Sequence, residues 1–356
     1  MTIHTTDLLD FSDKLHIFDK AERVNKVSSS VLKYSDEVDV PIIRYKESFE
    51  VGCYFTDSII VSGIGLLWHD DKIIINKDLM PSYWRNILFS NSYSNPEFDA
   101  ILPIREINEP CICALGWGNN IYGHFIIEAL PRILIGKKIL HNRGVRPKLL
   151  LRNDASNWLL RILYEYLDFT ELDIVFFDPY KERVRLLQGI YPGFCYYAEH
   201  GFHSNIIDLL SDIDIKDRLD FAPKSIFLSR QDISKLDPKK NFRVCNNEQK
   251  LCEIAEKEYG MSIIAPETLT WGEQISLFRN ANSIVSLYGS ALHTQLLASN
   301  NKQLKVGVCG YINSVQSDIA VLNHQPIYYQ MKDFRVAERF SVPAEGFRSL
   351  LSHILA

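Results

Sequence analysis

Two spacings of apolar residues divide the chain. Between Val38 and about Asn76, apolar residues fall in short β-branched and aromatic runs, VDVPIIRY, FEVGCYFTDSIIVSG and GLLWHDDKIIIN, with turn residues between them. Short strands in direct succession predict a meander, a β-rich extension covering about residues 38–80, and not βαβ units. The first thirty-odd residues, of mixed charge, read as a helical or irregular lead-in. Pro81 to Asp99 reads as a loop-rich segment holding an aromatic cluster of Tyr83, Trp84 and Phe89.

The pattern changes near Glu109. Cys111 to Leu115 reads as a strand, and Gly116 to Asn120 as a loop. Tyr122 to Leu140 reads as a helix in which Pro131 predicts a kink or a break. Strands over Lys148–Arg152, Asp173–Phe177 and Leu186–Tyr191 alternate with a helix over Ser156–Leu167. His203 to Leu219 carries Ile206, Ile207, Leu210 and Ile213 at helical spacing. Phe221-Ala-Pro223 then interrupts the pattern. A second α/β series follows, with strands at Ser225–Ser229, Ser262–Ala265, Gln303–Cys309 and Pro326–Gln330, a helix at Asn247–Tyr259, and a last helix after Pro343. Strands alternating with helices predict parallel sheets in α/β layers. The expected organisation is an N-terminal domain over residues 1–220, a C-terminal domain over 224–335 and a terminal helix over 336–356. Ligands of open α/β sheets bind at the carboxyl ends of the strands, so a cleft is expected where the two domains face each other.

One stretch of the second series stands out, PETLTWGEQISLFRNANSIVSLYGSALHTQLLAS, from Pro266 to Ser299. Trp271, Ile275 and Phe278 share a helix face. Ser283 to Leu287 lacks alternation, as a strand buried on both faces does. Tyr288-Gly289-Ser290-Ala291 is a turn into another helix from Leu292 to Leu297. Small residues at a strand-to-helix turn let an anionic ligand approach free backbone N–H groups. The same turn also serves as a plain βα connection.

Composition narrows the class. The chain has 356 residues, which suits two domains, and 46% hydrophobic with 23% charged residues, as in soluble globular proteins. A net charge of -5 gives no electrostatic footprint for nucleic acid. The N-terminus lacks a secretory pattern and no stretch has the length of a membrane span, so a cytoplasmic protein is expected. Seven scattered cysteines do not form a disulfide framework, and Cys111-Ile-Cys113 reads as a strand with two buried thiols.

The second stretch of interest runs from Asn119 to Arg132. It follows a strand end and opens a helix, so its polar residues fall where a site is expected. His124 and Glu128 are four apart and share a face. Such a pair holds an imidazole in one tautomer or supplies a general base; it is equally an ordinary helix contact. Arg132 continues that face by one turn. Arg230 ends a strand, where a guanidinium suits a diphosphate; it reads equally as an ordinary surface Arg. Asn246 or Asn247 suits a helix cap. Glu267, just after a strand, suits ribose hydroxyls or a helix entry. Asp212 and Asp214 have a DxD form but are expected inside a helix, where they diverge. The histidines form no spaced metal set, so no metal site is expected.

Together the order NxYGHFIxExLPR, a strand ending in SR, FRxxxNExxL, and PExLTxxEQIxLFxxAxxIVSxxGSAL resembles the family 61 glycosyltransferases. The resemblance covers roughly Asn120 to Leu292. It implies a GT-B-like α/β fold of two Rossmann-like domains facing a cleft, and inverting transfer from a nucleotide-sugar without a cofactor. It places His124 and Glu128 on the GHFxxE motif facing the cleft; of this expected catalytic pair, Glu128 is taken as the base, oriented or assisted by His124, with His124 as the other candidate. It places Arg230, Arg243, Glu248, Glu267, Gln274, Tyr288, Gly289, Ser290 and Ala291 on the donor side, and Asn120, Tyr122 and Arg132 on the acceptor side. Family members usually write the turn as HGA; here Tyr288 stands at the His position and Ser290 at an Ala position. A bacterial, cytoplasmic member working on a glycan or lipid-linked acceptor of capsule or lipopolysaccharide assembly is the expected role, with peripheral membrane or assembly-complex association. The alternative is a catalytically degenerate nucleotide-sugar-binding or scaffold subunit, which the Tyr288 departure keeps open.

Overall fold

The computed structural model describes residues 4–6, 13–18, 30–33, 36–39, 49–57, 59–76, 78–79, 95–116, 118–198, 200–217, 219, 222–230, 244–310, 314–331 and 339–356. The chain is a mixed α/β protein of several sheets. It divides into two compact units, Met1–Glu22 with Glu47–Asp214, and Arg23–Lys46 with Ile215–Ala356. Tyr83, Trp84 and Phe89 lie outside the described residues.

The first unit holds two six-stranded sheets. One is the α/β layer, in the order Ile174–Phe177, Lys148–Arg152, Cys111–Ile112, Gly189–Pro192, all parallel, with Val51–Thr56 and Asp13–Phe18 added antiparallel at one edge. The other contains only the later part of the expected meander, Ile59–Ser62, Leu66–His69 and Lys72–Ile74, joined to Arg183–Leu186 and Ile104–Ile107, whereas Val51–Thr56 from the same expected run lies in the first sheet. The two sheets share a core of Tyr54, Val61, Cys111, Leu150, Phe177, Leu186 and Tyr191. Each such apolar side chain contributes about 1.5–3 kcal/mol by leaving water.

Several expectations are corrected here. The lead-in contains strands: His4–Thr6 pairs with Lys72–Ile74, and Asp13–Phe18 with Val51–Thr56. Such edge strands take their hydrogen bonds from partners far along the chain, so local pattern does not announce them. Leu186 to Tyr191 is not one strand; Arg183–Leu186 and Gly189–Pro192 belong to different sheets. The loop-rich segment ends in a helix, Pro96–Ile101, capped by Asn95. The helix expected from His203 to Leu219 spans only Ile206–Ser211. Beyond it buried Ile213 and Ile215 alternate with exposed Asp212 and Asp214, a period of two that no helix continues. The two Asp residues therefore lie past the helix end and not within it.

Pro131 neither breaks nor ends its helix. The α-helical turn Tyr122–His124 widens into a π-helical segment, Phe125–Ala129, before the α-helix Leu130–Asn142. Leu130 N–H donates to Phe125 O, five residues back. In a regular α-helix the Pro131 ring would collide with the carbonyl of Ile127. The wider turn relieves that collision, so the helix continues through the proline.

The second unit is built on one seven-stranded sheet in the order Ser262–Ile264, Ser225–Leu228, Ser283–Leu287, Lys305–Gly310, Ile327–Met331, Ser30–Lys33 and Asp36–Asp39. All neighbours pair parallel except the last hairpin. Ser283–Leu287 is buried at every position. Phe227, Val285 and Leu287 pack on one face against Leu251 and Phe347 of the helices Glu248–Tyr259 and Ala344–Leu355. Ile226, Leu228 and Ile284 pack on the other against Leu277, Phe278, Leu292 and Ala320. The helix Ser314–Asn323 has no counterpart in the sequence reading.

Ser290–Ala298 forms a 3-10 helix, not the α-helix expected after the turn. Nine residues is long for that form, whose hydrogen-bond geometry is poor. Side chains outside the segment take up its carbonyls. Gln316 Nε2 donates to Leu292 O at 3.2 Å, Asn323 Nδ2 to Gln295 O at 2.6 Å, Arg279 Nε to Leu297 O at 3.0 Å and Gln325 Nε2 to Ala298 O at 3.0 Å. These external donors compensate for bonds that an α-helix would make internally.

Candidate active site

The chemistry-bearing residues gather in two places, one in each unit. In the first unit the strand Cys111–Ile112 leads through the loop at Gly116–Asn120 into the helix that begins at Tyr122. His124 Nδ1 lies 2.8 Å from Glu128 Oε1. The Glu128 side chain is only 5% exposed, while that of His124 is 27% exposed. The carboxylate is thus buried, while the imidazole is partly exposed. The pair straddles the π-helical segment, a deviation that recurs at functional sites. Gly118 packs directly beneath the ring: a Cβ there would come within 2.4 Å of His124 Cβ and Cγ. Close approach, and not an unusual backbone angle, is what requires glycine at 118.

Asn120 and Tyr122 border this pair. Asn120 Nδ2 donates to Asp154 O at 2.9 Å, and its Oδ1 accepts from the Ser156 N–H and hydroxyl, each at 3.1 Å. It thereby ties the loop to the start of the helix Asn157–Tyr166. Tyr122 meets the Trp158 ring edge-on, with centroids 5.8 Å apart.

Arg132 is placed differently from its acceptor-side expectation. It is 3% exposed. Its Nε donates to Pro192 O at 2.7 Å, Nη1 to Leu115 O at 2.9 Å and Nη2 to Cys113 O at 3.2 Å, with the guanidinium 4.4 Å from the Phe194 ring centre. It ties the helix to two strand ends. Burial lowers its pKa from the usual arginine value, against the opposing pull of Cys113 and Glu128. Burial likewise pushes the Cys113 thiol up to about 11 and Cys53 and Cys195 up to about 12, so these thiols stay protonated and unreactive.

In the second unit the turn after Ser283–Leu287 is braced by Arg230, at the end of the neighbouring strand Ser225–Leu228. Arg230 Nη1 donates to Tyr288 O at 2.5 Å. The guanidinium lies against Gly289, where a Cβ would come within 2.8 Å of Nη1. Gly289 has extended backbone, φ -178°, so its need is again space. Tyr288 N–H donates to Cys309 O at 2.9 Å, fixing the turn to the next strand. Ser290 and Ala291 open the 3-10 helix and are half-buried. Glu248 is buried, and its Oε1 accepts from the Arg230 backbone N–H at 2.5 Å and the Ser229 hydroxyl at 3.1 Å.

Glu267 and Gln274 stand beside these residues in the sequence motif but are engaged locally. Glu267 lies in the turn Pro266–Thr268, and Gln274 Nε2 donates to Leu269 O at 3.3 Å. Glu273, beside Gln274, closes a capping box with Thr270. Arg243 lies outside the described residues. Among the described residues no group of three or more His, Cys, Asp or Glu side chains gathers as a metal site.

Sequence reasoning missed Gly118 and the amide set of Gln295, Gln316, Asn323 and Gln325. The amides carried a readable signal: polar side chains recurring in and just after apolar helices, at positions that prove buried.

Residues 122–304, just over half of the chain, match the family model for Glycosyltransferase 61. The chain belongs to the glycosyltransferase 61 family. Transfer of a sugar from a donor to an acceptor is the activity this membership carries. The matched stretch includes His124 and Glu128 in the first unit and Arg230, Glu248 and the Gly289 turn in the second. No curated protein matches this family member. No helix among its described residues is long and apolar enough to cross a membrane.

Proposed function

We propose that the protein is an inverting glycosyltransferase of GT-B architecture. It would take a nucleotide-sugar donor and a glycan or lipid-linked acceptor, in the assembly of bacterial capsule or lipopolysaccharide. The bacterial setting, and a cytoplasmic location at the inner face of the membrane, rest on the sequence resemblance. The observation that carries the enzymatic reading is the Arg230 guanidinium held across the small residues at Gly289, at the carboxyl ends of parallel strands.

In a single displacement the acceptor oxygen forms a bond to the anomeric carbon while the bond from that carbon to the diphosphate oxygen breaks. Glu128 accepts the acceptor proton, with His124 orienting its carboxylate through the 2.8 Å contact. The diphosphate leaves with increased negative charge, which Arg230 and the backbone N–H groups of the turn offset. A fixed guanidinium supplies the positive charge that many transferases take from a divalent ion, which favours a metal-independent reaction. Tyr288, Gly289, Ser290 and Ala291 would line the diphosphate, with Arg243, Glu267 and Gln274 on the same donor side and Asn120 and Tyr122 on the acceptor side.

A thermal-shift screen over nucleoside diphosphates and nucleotide-sugars, with and without magnesium or manganese, tests this. A ligand bound only by the folded state raises the melting temperature. A shift with one nucleotide class, independent of metal, is expected. A shift that requires metal would overturn the metal-independent mechanism. Tyr288 at the usual His position favours a second reading, a nucleotide-sugar-binding subunit without turnover. Donor binding with no transfer across a broad acceptor panel would establish that reading instead.

A further inference from the structure

We propose that Glu248 is a positioning residue, which fixes Arg230 over Gly289 from within the protein instead of contacting the donor. The inference rests on the donor-side reading of that turn and assigns Glu248 a role different from the donor contact implied by its motif.

Arg230 follows the last residues of the strand Ser225–Leu228, where the sheet's own hydrogen bonds end. Its backbone is captured by Glu248, which accepts the Arg230 N–H at 2.5 Å and the Ser229 hydroxyl at 3.1 Å on the same oxygen, Oε1. Its side chain then reaches across to Tyr288 O at 2.5 Å and lies on Gly289. Arg230 is therefore held at both ends. Glu248 holds the root, and the turn carbonyl receives the tip.

Glu248 is itself well fixed. It is the first residue of the twelve-residue helix Glu248–Tyr259, where the helix dipole favours a carboxylate. The preceding Asn247 clamps Val342 through both ends of its side-chain amide, Nδ2 donating to the Val342 carbonyl at 2.7 Å and Oδ1 accepting the Val342 N–H at 3.0 Å. Hydrogen bonds from charged groups to backbone donors are among the stronger ones in proteins. Loss of the carboxylate frees the Arg230 backbone and lets the guanidinium swing off the turn.

A double-mutant cycle read by isothermal titration calorimetry tests this on the full chain. The probes are UDP, GDP, CDP and dTDP, and the variants are Glu248→Ala, Glu248→Gln, Arg230→Lys and the double variant Glu248→Ala with Arg230→Lys. Arg230→Lys keeps a charge but loses the planar fork. For the diphosphate that binds wild type, Glu248→Ala is expected to weaken affinity about tenfold, the effect of one charge-assisted hydrogen bond. On the Arg230→Lys background the same change should cost less than about threefold, because contacts acting through one group are not additive. Glu248→Gln retains an oxygen for the Arg230 N–H and should stay within about threefold of wild type. If Glu248→Ala does not fold, Glu248→Asp, one methylene short of the Arg230 N–H, replaces it in the cycle. Full additivity, or a Glu248→Gln loss equal to that of Glu248→Ala, overturns the inference while leaving the donor reading intact. Absence of binding to wild type by every probe overturns both.

Discussion

Gly118→Ala is the sharpest test of the His124–Glu128 pair, because it reaches the pair without altering either residue. The added methyl would stand 2.4 Å from His124 Cβ and Cγ and 2.8 Å from Cδ2. Carbon atoms in contact settle at about 3.5–4.0 Å, so ring and loop must separate by roughly 1 Å or more. The atom struck is the root of the His side chain, which rotation about χ1 does not move. The helix start must shift, and the 2.8 Å contact to Glu128 then stretches beyond hydrogen-bond range. Overpacking of this kind costs about 1–3 kcal/mol of stability. A displacement of about 1 Å at catalytic groups lowers turnover about 100-fold. Gly144→Ala supplies the comparison. Gly144 has φ +69° and nothing within 4 Å of an added Cβ, so alanine there costs strain alone, about 1–2 kcal/mol. Urea denaturation and initial rates of sugar transfer, measured on both variants, separate the two effects. Similar stability losses with a turnover defect confined to Gly118→Ala are expected. Turnover of Gly118→Ala within about threefold of Gly144→Ala would refute the placement of the pair at the reacting centre.

Other perturbations have equally definite outcomes. Glu128→Gln should lower kcat by about 100- to 10,000-fold, the range for a lost general base, with His124→Ala costing less; near-normal turnover in Glu128→Gln with none in His124→Ala would make His124 the base. Arg132→Lys should destabilise nearly as much as Arg132→Met, by several kcal/mol in chemical denaturation, because one ammonium cannot serve the carbonyls of Cys113, Leu115 and Pro192 together; a Lys variant as stable as wild type would contradict this. Arg146, joined by the Thr170 hydroxyl and N–H, holds the Asp173 carboxyl well below the usual carboxylate range. Its stabilising contribution is therefore complete above the unfolded value of about pH 4 and disappears as pH falls through the folded one, so acid titration of Asp173→Asn should show a flatter decline below about pH 4 than wild type.

What the sequence revealed, and what it did not, follows from where each signal resides. The parallel strands of the second unit were legible because burial on both faces removes alternation, as at Ser283–Leu287. The His124–Glu128 contact was legible because helical spacing brings residues four apart together, and that holds even though the turn between them is π-helical. Pairings such as His4–Thr6 with Lys72–Ile74 and Ser30–Lys33 with Ile327–Met331 were not, since the partners lie far apart along the chain, although Ser30–Lys33 also forms a local hairpin with Asp36–Asp39. The second of these puts an early segment into the sheet of the C-terminal unit, an arrangement no local pattern encodes. Arg132 illustrates a different limit. Its spacing matches the face of His124 and Glu128, but the carbonyl ends of Cys113, Leu115 and Pro192 converge on it only in three dimensions. Asp212 and Asp214 show the reverse, where an assumed helix obscured an alternation of two that was present in the sequence.

The departure at Tyr288 has a physical consequence that depends on which of its atoms the fold uses. Arg230 donates to the main-chain carbonyl of residue 288, and the main-chain N–H of residue 288 donates to Cys309 O. Gly289 contributes by lacking a side chain, and the 3-10 helix beyond it is held by Gln316, Asn323, Gln325 and Arg279 through carbonyls. None of these groups senses whether residue 288 carries an imidazole or a phenol. The backbone bonds of this frame therefore do not depend on the ring at 288, while the Tyr288 ring itself packs against the core around Ile226, Leu228 and Ile284. On the proposed donor-side reading, the exchange replaces a ring able to carry positive charge with a neutral hydroxyl. If the turn receives a diphosphate as proposed, one potential cation is removed, a larger share of the charge falls to Arg230, and the side chains that hold Arg230 in place matter correspondingly more.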